Sequence, residues 1–302
     1  MAFGEADMTS LYEKHEIKEN IMGRKDIAEK HFEEINEIFA DIVNGTIFGG
    51  HQTINENELQ DLAAKSQYKA DDNRLHEQER DIAKRWLKGN VIFSIIGIEN
   101  QTMIDNDMVL RVLGYDGASY RSQLFDKNTS RRYPVITIVL YYGKDPWNAP
   151  RSLKERLDVP ECLDKYVSDY HINVFDISHM SDEEVDTLFH SDFKILAKFM
   201  NGTTDACEIK EKIEYPDPLL KLLSILTGDN RFEALKGEFV EGGATMCDVL
   251  DRVENKGKHE ANRETATNLI KKGISLDVIE ACIPSLPKDE IQEIFNSITK
   301  NS

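Results

Sequence analysis

Between Ala28 and Asn44 the apolar residues Phe32, Ile35, Ile38, Phe39, Ile42 and Val43 recur at three- and four-residue steps. That period predicts a helix with one buried face, inside a helical stretch covering residues 11–44. Gly45 and then Gly49-Gly50 are expected to stop it. Residues 50–80 are polar, and a loop with a short helix around Glu56 to Lys65 is expected there. The period then changes. Val91–Ile98 (VIFSIIGI) is a short β-branched run that reads as a strand, led in by a turn at Lys88-Gly89-Asn90. Asp81–Leu87 fits either a helical turn or the end of a strand. Residues 107–127 read as helix despite Gly114 and Gly117. Val135–Tyr142 (VITIVLYY) and Ile172–Ile177 read as further strands, followed by helices near 182–200 and 217–227. This order predicts an α/β fold in which helices cover a mixed β-sheet.

From Met246 the pattern turns charged and apolar-poor (DRVENKGKHEANRE), as suits an exposed helix or a linker. Apolar spacing returns at Ala266, Leu269, Ile270, Ile274, Ile279 and Ile283, predicting two or three short helices with Ser275 as an N-cap. The expected organisation is an N-terminal extension (1–24), a main domain with a helical extension (25–245), a charged linker or helix (246–261) and a small helical C-terminal element (262–302). The apolar face of that element, with Leu269, Ile270, Ile279 and Ile291, fits packing against a second copy as well as groove binding.

Composition narrows the class. Of 302 residues, 40% are hydrophobic and 30% charged, which is an ordinary globular balance. No run of about 18 apolar residues exists, so no membrane partner is expected. The first ten residues include Glu5 and Asp7 and lack an apolar signal region. Cys162, Cys207, Cys247 and Cys282 make no CxxC pair and read as buried thiols in a reducing cytoplasm. The net charge of −18 argues against a generally basic nucleic-acid surface. The segment from Tyr120 to Arg156, however, carries eight basic residues against three acidic ones. Such a local face can attract phosphates, because screening confines each field to about 10 Å.

One constellation carries chemistry. Glu99 ends the Val91–Ile98 run and is followed by Asn100 and Gln101. Strand side chains alternate, so Glu99 and Gln101 share a face while Asn100 points the other way. If 81–87 pairs with 91–99 around the intervening turn, Asp81 joins Glu99 at the same end of the sheet. Two converging carboxylates suit Mg²⁺, which takes oxygen ligands and keeps waters and substrate phosphates. The competing reading of Glu99 is an ordinary solvated carboxylate at a strand end.

The segments EQERDIAKRW, IGIENQT, LRVLGYDGASYRSQL and RYPVITIVLYYG resemble, in order, the core of the Rpn (recombination-promoting nuclease, or transposase-like) family of the PD-(D/E)XK nuclease superfamily. The likeness runs from about residue 25 to 200. FADIVN (Phe39–Asn44) is similar to that family's first core helix, and ATNLIKKGISLDVI to its tail, often a helix-turn-helix-like element. The resemblance implies a restriction-endonuclease-like mixed sheet flanked by helices, with a small α-helical C-terminal appendage. It implies a Mg²⁺-dependent DNA endonuclease (Mn²⁺ an alternative cofactor) acting on DNA as a homodimer. Asp81 and Glu99 match the superfamily's acidic residues, and Gln101 stands where its lysine would be. A further metal ligand is implied on the first helix, with Glu37 and Asp41 both open. Arg111, Tyr115, Tyr120 and Gln123 resemble residues that face the site. Arg131 and Arg132 are candidates for phosphate contact; an adjacent basic pair is otherwise a solvated surface. The alternative function is a catalytically inactive nuclease fold retained for DNA binding or regulation.

Overall fold

The structure is a computed structural model that describes residues 28, 30–62, 65–69, 75–79, 81–89, 91–125, 130–203 and 205–300. The helical pattern expected over 11–27, and the extension at 1–24, lie outside the described residues. The chain divides into two compact units, Met1–Ile209 and Lys210–Ser302.

The first unit is a mixed α/β fold built on a five-stranded sheet. Its strands are β1 (Leu59–Asp61), β4 (Ile82–Lys88), β5 (Val91–Gln101), β6 (Val135–Tyr141) and β7 (Asn173–Asp176), in the spatial order β1-β4-β5-β6-β7. β1, β4 and β5 run antiparallel, whereas β5, β6 and β7 run parallel. A separate ribbon pairs β2 (Lys65–Lys69) with β3 (Leu75–Glu79). The ambiguous segment before the Val91 strand is thus itself a strand, and Gly89, at φ 63°, supplies the left-handed residue of the hairpin turn. β1, β2 and β3 replace the loop and helix expected over 50–80; only the turn Glu56–Glu58 is helical among the described residues there. Their residues are largely polar, so no apolar alternation advertises them.

Helices cover both faces. On one side α1 (Asn36–Phe48) lies over the face bearing Ile82, Lys84 and Trp86. On the other, α2 (Met108–Gln123) buries Met108, Val109 and Val112 against Val139, Tyr141 and Val174. The first helix is interrupted at Glu34–Ile35, and Lys84 explains how the break is held. Only 1% of its side chain is exposed, and its ammonium reaches the Glu34 carbonyl at 2.8 Å, Asn36 Oδ1 at 2.7 Å and Asp61 Oδ1 at 2.5 Å. All three of its donors therefore have acceptors. One buried charge ties the helix break to both β4 and β1.

Gly45 does not end α1, which continues to Phe48 and stops at Gly49 with φ 60°. A Cβ on Gly45 would lie 2.4 Å from the Phe189 ring and 2.8 Å from the Leu188 carbonyl oxygen. The glycine is there to let another segment approach. The single helix expected over 182–200 is likewise two, α3 (Asp182–Leu188) and α4 (Asp192–Asn201). Buried Phe189 stacks edge-on with Phe193 at the break, and Ser191 caps α4 by accepting from the Phe193 N–H at 3.2 Å.

In the second unit, α5 (Pro216–Thr227) precedes α6 (Met246–Lys271), α7 (Leu276–Cys282) and α8 (Lys288–Lys300). The charged stretch at 246–261 is the first half of one continuous helix. Ser275 holds the N-cap position of α7 without a side-chain capping bond. Ala266, Ile270, Ile279, Ile283, Leu286, Ile291 and Ile294 bury against one another, with Leu269 at the margin. The apolar face expected to receive a second copy is therefore used inside the tail itself. Cys162 and Cys282 are exposed free thiols rather than buried ones, and Cys207 and Cys247 are not free thiols. Among the described residues no helix is long and apolar enough to cross a membrane.

Two helix glycines should respond oppositely to alanine. Gly45→Ala overpacks against Phe189 and should cost about 1–3 kcal/mol, outweighing its gain in helix propensity. A methyl added at Gly117 would meet nothing within 4 Å, so Gly117→Ala should stabilise by up to about 1 kcal/mol. Urea unfolding read by circular dichroism checks both signs. Lys84→Ala should destabilise by about 3 kcal/mol, because it leaves a cavity and strips three acceptors of their donor. A loss under about 1 kcal/mol in the same assay would contradict the role given to Lys84.

Candidate active site at the end of β5

β5 is the longest strand among the described residues, and its last residues run beyond the hairpin. Ile82 pairs with Ile98, so Asp81 stands one step further on, opposite Glu99. Asp81 Oδ2 accepts the Asn100 backbone N–H at 2.7 Å, taking the place of a ladder acceptor where β4 has ended. On the other side β5 stays paired to β6 up to Gln101 and Tyr141. Hairpin register and parallel neighbour together fix Asp81, Glu99 and Gln101 at one edge.

Alternation does the rest. Glu99 and Gln101 face α2, and Gln101 Nε2 lies 3.5 Å from Glu99 Oε1. Arg111 and Tyr115, one turn apart on α2, reach the same oxygen at 2.5 Å and 3.4 Å. Arg111 also donates to Tyr115 Oη at 3.2 Å and to Asp105 Oδ2 at 3.0 Å. Glu99 is 2% exposed, while the Arg111 side chain is 40% exposed, so the pair runs from the protein interior to its surface. Burial opposes the guanidinium charge, but the Glu99 carboxylate and the bonds to Tyr115 and Asp105 hold Arg111 well above the usual arginine range. Burial and then the negative charge of Glu99 push the Tyr115 hydroxyl up, with a smaller push from Asp81. Tyr115 therefore stays protonated at neutral pH and serves as a donor.

Asn100 points to the opposite face, where its Nδ2 donates to Glu33 Oε2 at 2.8 Å. Glu33 is fully buried and also accepts from the Tyr142 hydroxyl at 3.3 Å. Neither Glu33 nor Tyr142 stands out in the sequence. The available signal is Asn100: a polar side chain that alternation sends under a helix needs a partner there.

The first-helix acids sit elsewhere. Asp41 is buried, and its carboxylate accepts from the His190 N–H at 2.9 Å and from the Ser191 N–H and Oγ at 2.8 and 2.7 Å. Glu37 lines a cleft with Asp41, Gln52 and His190, and neither Asp81 nor Glu99 borders it. The FADIVN motif is thus largely structural: Asp41 holds the α3–α4 break, and Asn44 clamps the loop at Thr53 and Ile54. Tyr120 and Gln123 are not brought to Glu99 either. The Tyr120 hydroxyl accepts the Val135 N–H at 3.1 Å, and Gln123 brackets the Tyr133 N–H and carbonyl. Val135 opens β6, four residues before the Val139 that pairs with Glu99, or about 13 Å along the strand. Arg131 and Arg132 are exposed on the same approach to β6.

The donor set suits a hard divalent cation. Asp81 and Glu99 offer carboxylate oxygens at adjoining strand ends, and Mg²⁺ commonly takes only one or two protein carboxylates, completing its shell with water and phosphate. A cluster of three or more candidate ligands, as a closed metal site needs, is absent among the described residues. The arrangement fits an open, substrate-completed site and does not fit a structural one.

Residues 85–231 match the family described as "Putative transposase, YhgA-like". No curated protein and no solved structure matches the chain. The matched span opens on β4, includes Glu99, Gln101, Arg111 and Tyr115, and continues beyond β7. Over this span, just under half of the chain, the protein is similar to the YhgA-like transposase family, the Rpn-type family of PD-(D/E)XK character that its motifs resemble.

Proposed function

We propose that the first unit is a Mg²⁺-dependent DNA endonuclease that hydrolyses phosphodiester bonds. The observation that carries this reading is the β4–β5 register, which sets Asp81 opposite Glu99 beside Gln101 on one face. The family match supports a nuclease-like activity in coarser terms. Asp81 and Glu99 hold the cation, for which Mn²⁺ can substitute. When bound, it supplies an activated water and charge stabilisation at the phosphate. The chain's own residues supply placement. Gln101 carries no charge, but its amide can donate to a phosphate oxygen or orient the attacking water. Tyr115 holds the Glu99 carboxylate at a fixed angle. Cutting both strands of a duplex takes two such sites, and a second copy of the chain provides the other.

One observation favours a different reading, in which the fold binds DNA or regulates without cutting. Glu99 Oε1 already receives Arg111, Tyr115 and Gln101, so a cation must compete for it.

Supercoiled plasmid incubated with purified protein separates the two. Mg²⁺-dependent nicking or linearisation should vanish in EDTA and fall about a hundredfold or more in Glu99→Ala and Asp81→Ala. Wild type and variants equally inert in Mg²⁺ and Mn²⁺ would establish the non-cutting reading. Asp41→Asn provides the contrast. It should lower stability by about 1–3 kcal/mol by weakening the hydrogen bonds to His190 and Ser191, yet leave cleavage per folded molecule unchanged. Loss of cleavage in a fully folded Asp41→Asn would return Asp41 to the metal site.

A further inference from the structure

The site as built has an electrostatic gap. Two carboxylates and a neutral amide face a substrate that is itself an anion. A divalent cation offsets part of this charge, but strand β5 offers no positive side chain next to Glu99. Among the described residues, a cation reaches Glu99 from α2. Arg111 binds Glu99 through Nη2 and Asp105 through Nη1, with Tyr115 as a third acceptor. A guanidinium has five N–H donors in a planar fork. Three acceptors meet them among the described residues, and 40% of the side chain faces solvent. Asp105 is itself 27% exposed, so the outer anchor lies nearer the surface than the buried inner one.

This asymmetry suits a side chain with two positions. A divalent cation at Glu99 would repel the guanidinium at close range and claim the oxygen that it holds. Arg111 would then retain Asp105 and turn its freed edge outward, where an incoming phosphodiester presents non-bridging oxygens. Arginine is well matched to that target, because its fork can bind two phosphate oxygens at once. Arg131 and Arg132 cannot fill the gap, lying on the approach to the far end of β6.

Resting on the nuclease reading above, we propose that Arg111 is the phosphate-binding cation of the site, parked on Glu99 until metal and DNA arrive and anchored throughout by Asp105. It carries from a helix the positive charge that Gln101 does not supply from the strand.

The test uses the full chain and two measurements that need no turnover. One is Mn²⁺ binding followed by electron paramagnetic resonance. The other is binding of a short DNA duplex in Ca²⁺, read by fluorescence anisotropy over a range of salt. Arg111→Gln should weaken DNA binding tenfold or more and reduce the slope of log K against log salt by about one. Its Mn²⁺ affinity should be equal to or higher than that of the wild type. Arg111→Lys keeps the charge without the fork; it should keep the salt slope and lose affinity only several-fold, and it serves as the working variant if Arg111→Gln does not fold. Unchanged DNA affinity and slope in both variants would overturn the proposal. So would a fall in Mn²⁺ affinity as large as that of Glu99→Gln, since Arg111 would then only position the carboxylate. If wild type binds no Mn²⁺, or Glu99→Gln binds it equally well, the nuclease reading itself fails and the proposal falls with it.

Discussion

A buried ammonium sets the frame for everything at the end of β5. Lys84 sits opposite Asp61 across the β1–β4 pair and beneath the break in the first helix. Stripping a charge of its partners in the interior costs several kcal/mol, far more than a surface ion pair contributes. Exposure of Asp61 tempers that pair, and the two helix acceptors, on exposed Glu34 and half-buried Asn36, complete the set around a buried ammonium. The position of β4 is thereby pinned against both β1 and the helix above it. β5 follows through a tight hairpin, so its register is inherited. A slip of one residue would turn Glu99 toward the first helix and Asn100 toward α2, exchanging the two faces entirely.

Strand β5 acts as a partition between two polar systems. On one face Glu99, Gln101, Arg111 and Tyr115 form a graded path from the interior to solvent. On the other, Asn100, Glu33 and Tyr142 form a buried network. The buried side makes the open side possible: the backbone at 99–101 is gripped by Asp81, by β6 and through the Asn100 side chain. A site meant to hold charged groups in place benefits from such rigid backing. It also shows why the overall charge of −18 is a poor guide to what the site attracts. What a ligand meets at contact range is the arrangement around one carboxylate, and charges beyond a screening length matter little there.

Much of this is legible in the residues. The β-branched run at Val91, the Glu-x-Gln alternation and the turn at Lys88-Gly89-Asn90 make the observed pairing one of two readings, because period alone leaves Asp81–Leu87 open between a helical turn and a strand. The i, i+4 spacing of Arg111 and Tyr115 correctly puts both on one helical face. What stays hidden has identifiable causes. Gly45 looks like a stop because a close approach by Phe189, 144 residues later, leaves no local mark. Asp41 looks like a ligand because an acid on a core helix has the same spelling whether it binds a metal or caps a distant break. Tyr120 and Gln123 share a helix with Arg111, but a helix of 16 residues spans about 24 Å, and only its first half lies near Glu99. The polar strands β1–β3 carry no period to read. Family resemblance supplies the chemistry; residue spacing supplies the geometry.

The Glu33–Asn100 contact bears on where an autonomous piece of this protein can begin. The recognisable family segment starts at residue 85, inside β4. Yet the wall behind the site is contributed by residues some fifty positions upstream: Glu33 closes the network on Asn100, and fully buried Phe32 stands beside it. A fragment cut to the limits of sequence similarity would leave the Asn100 amide facing an empty face of the sheet, and even one starting at α1 would lack that wall. The unit of homology and the unit of folding do not coincide in this chain. An excised fragment that fails to cut DNA would for that reason say nothing about whether the intact protein does.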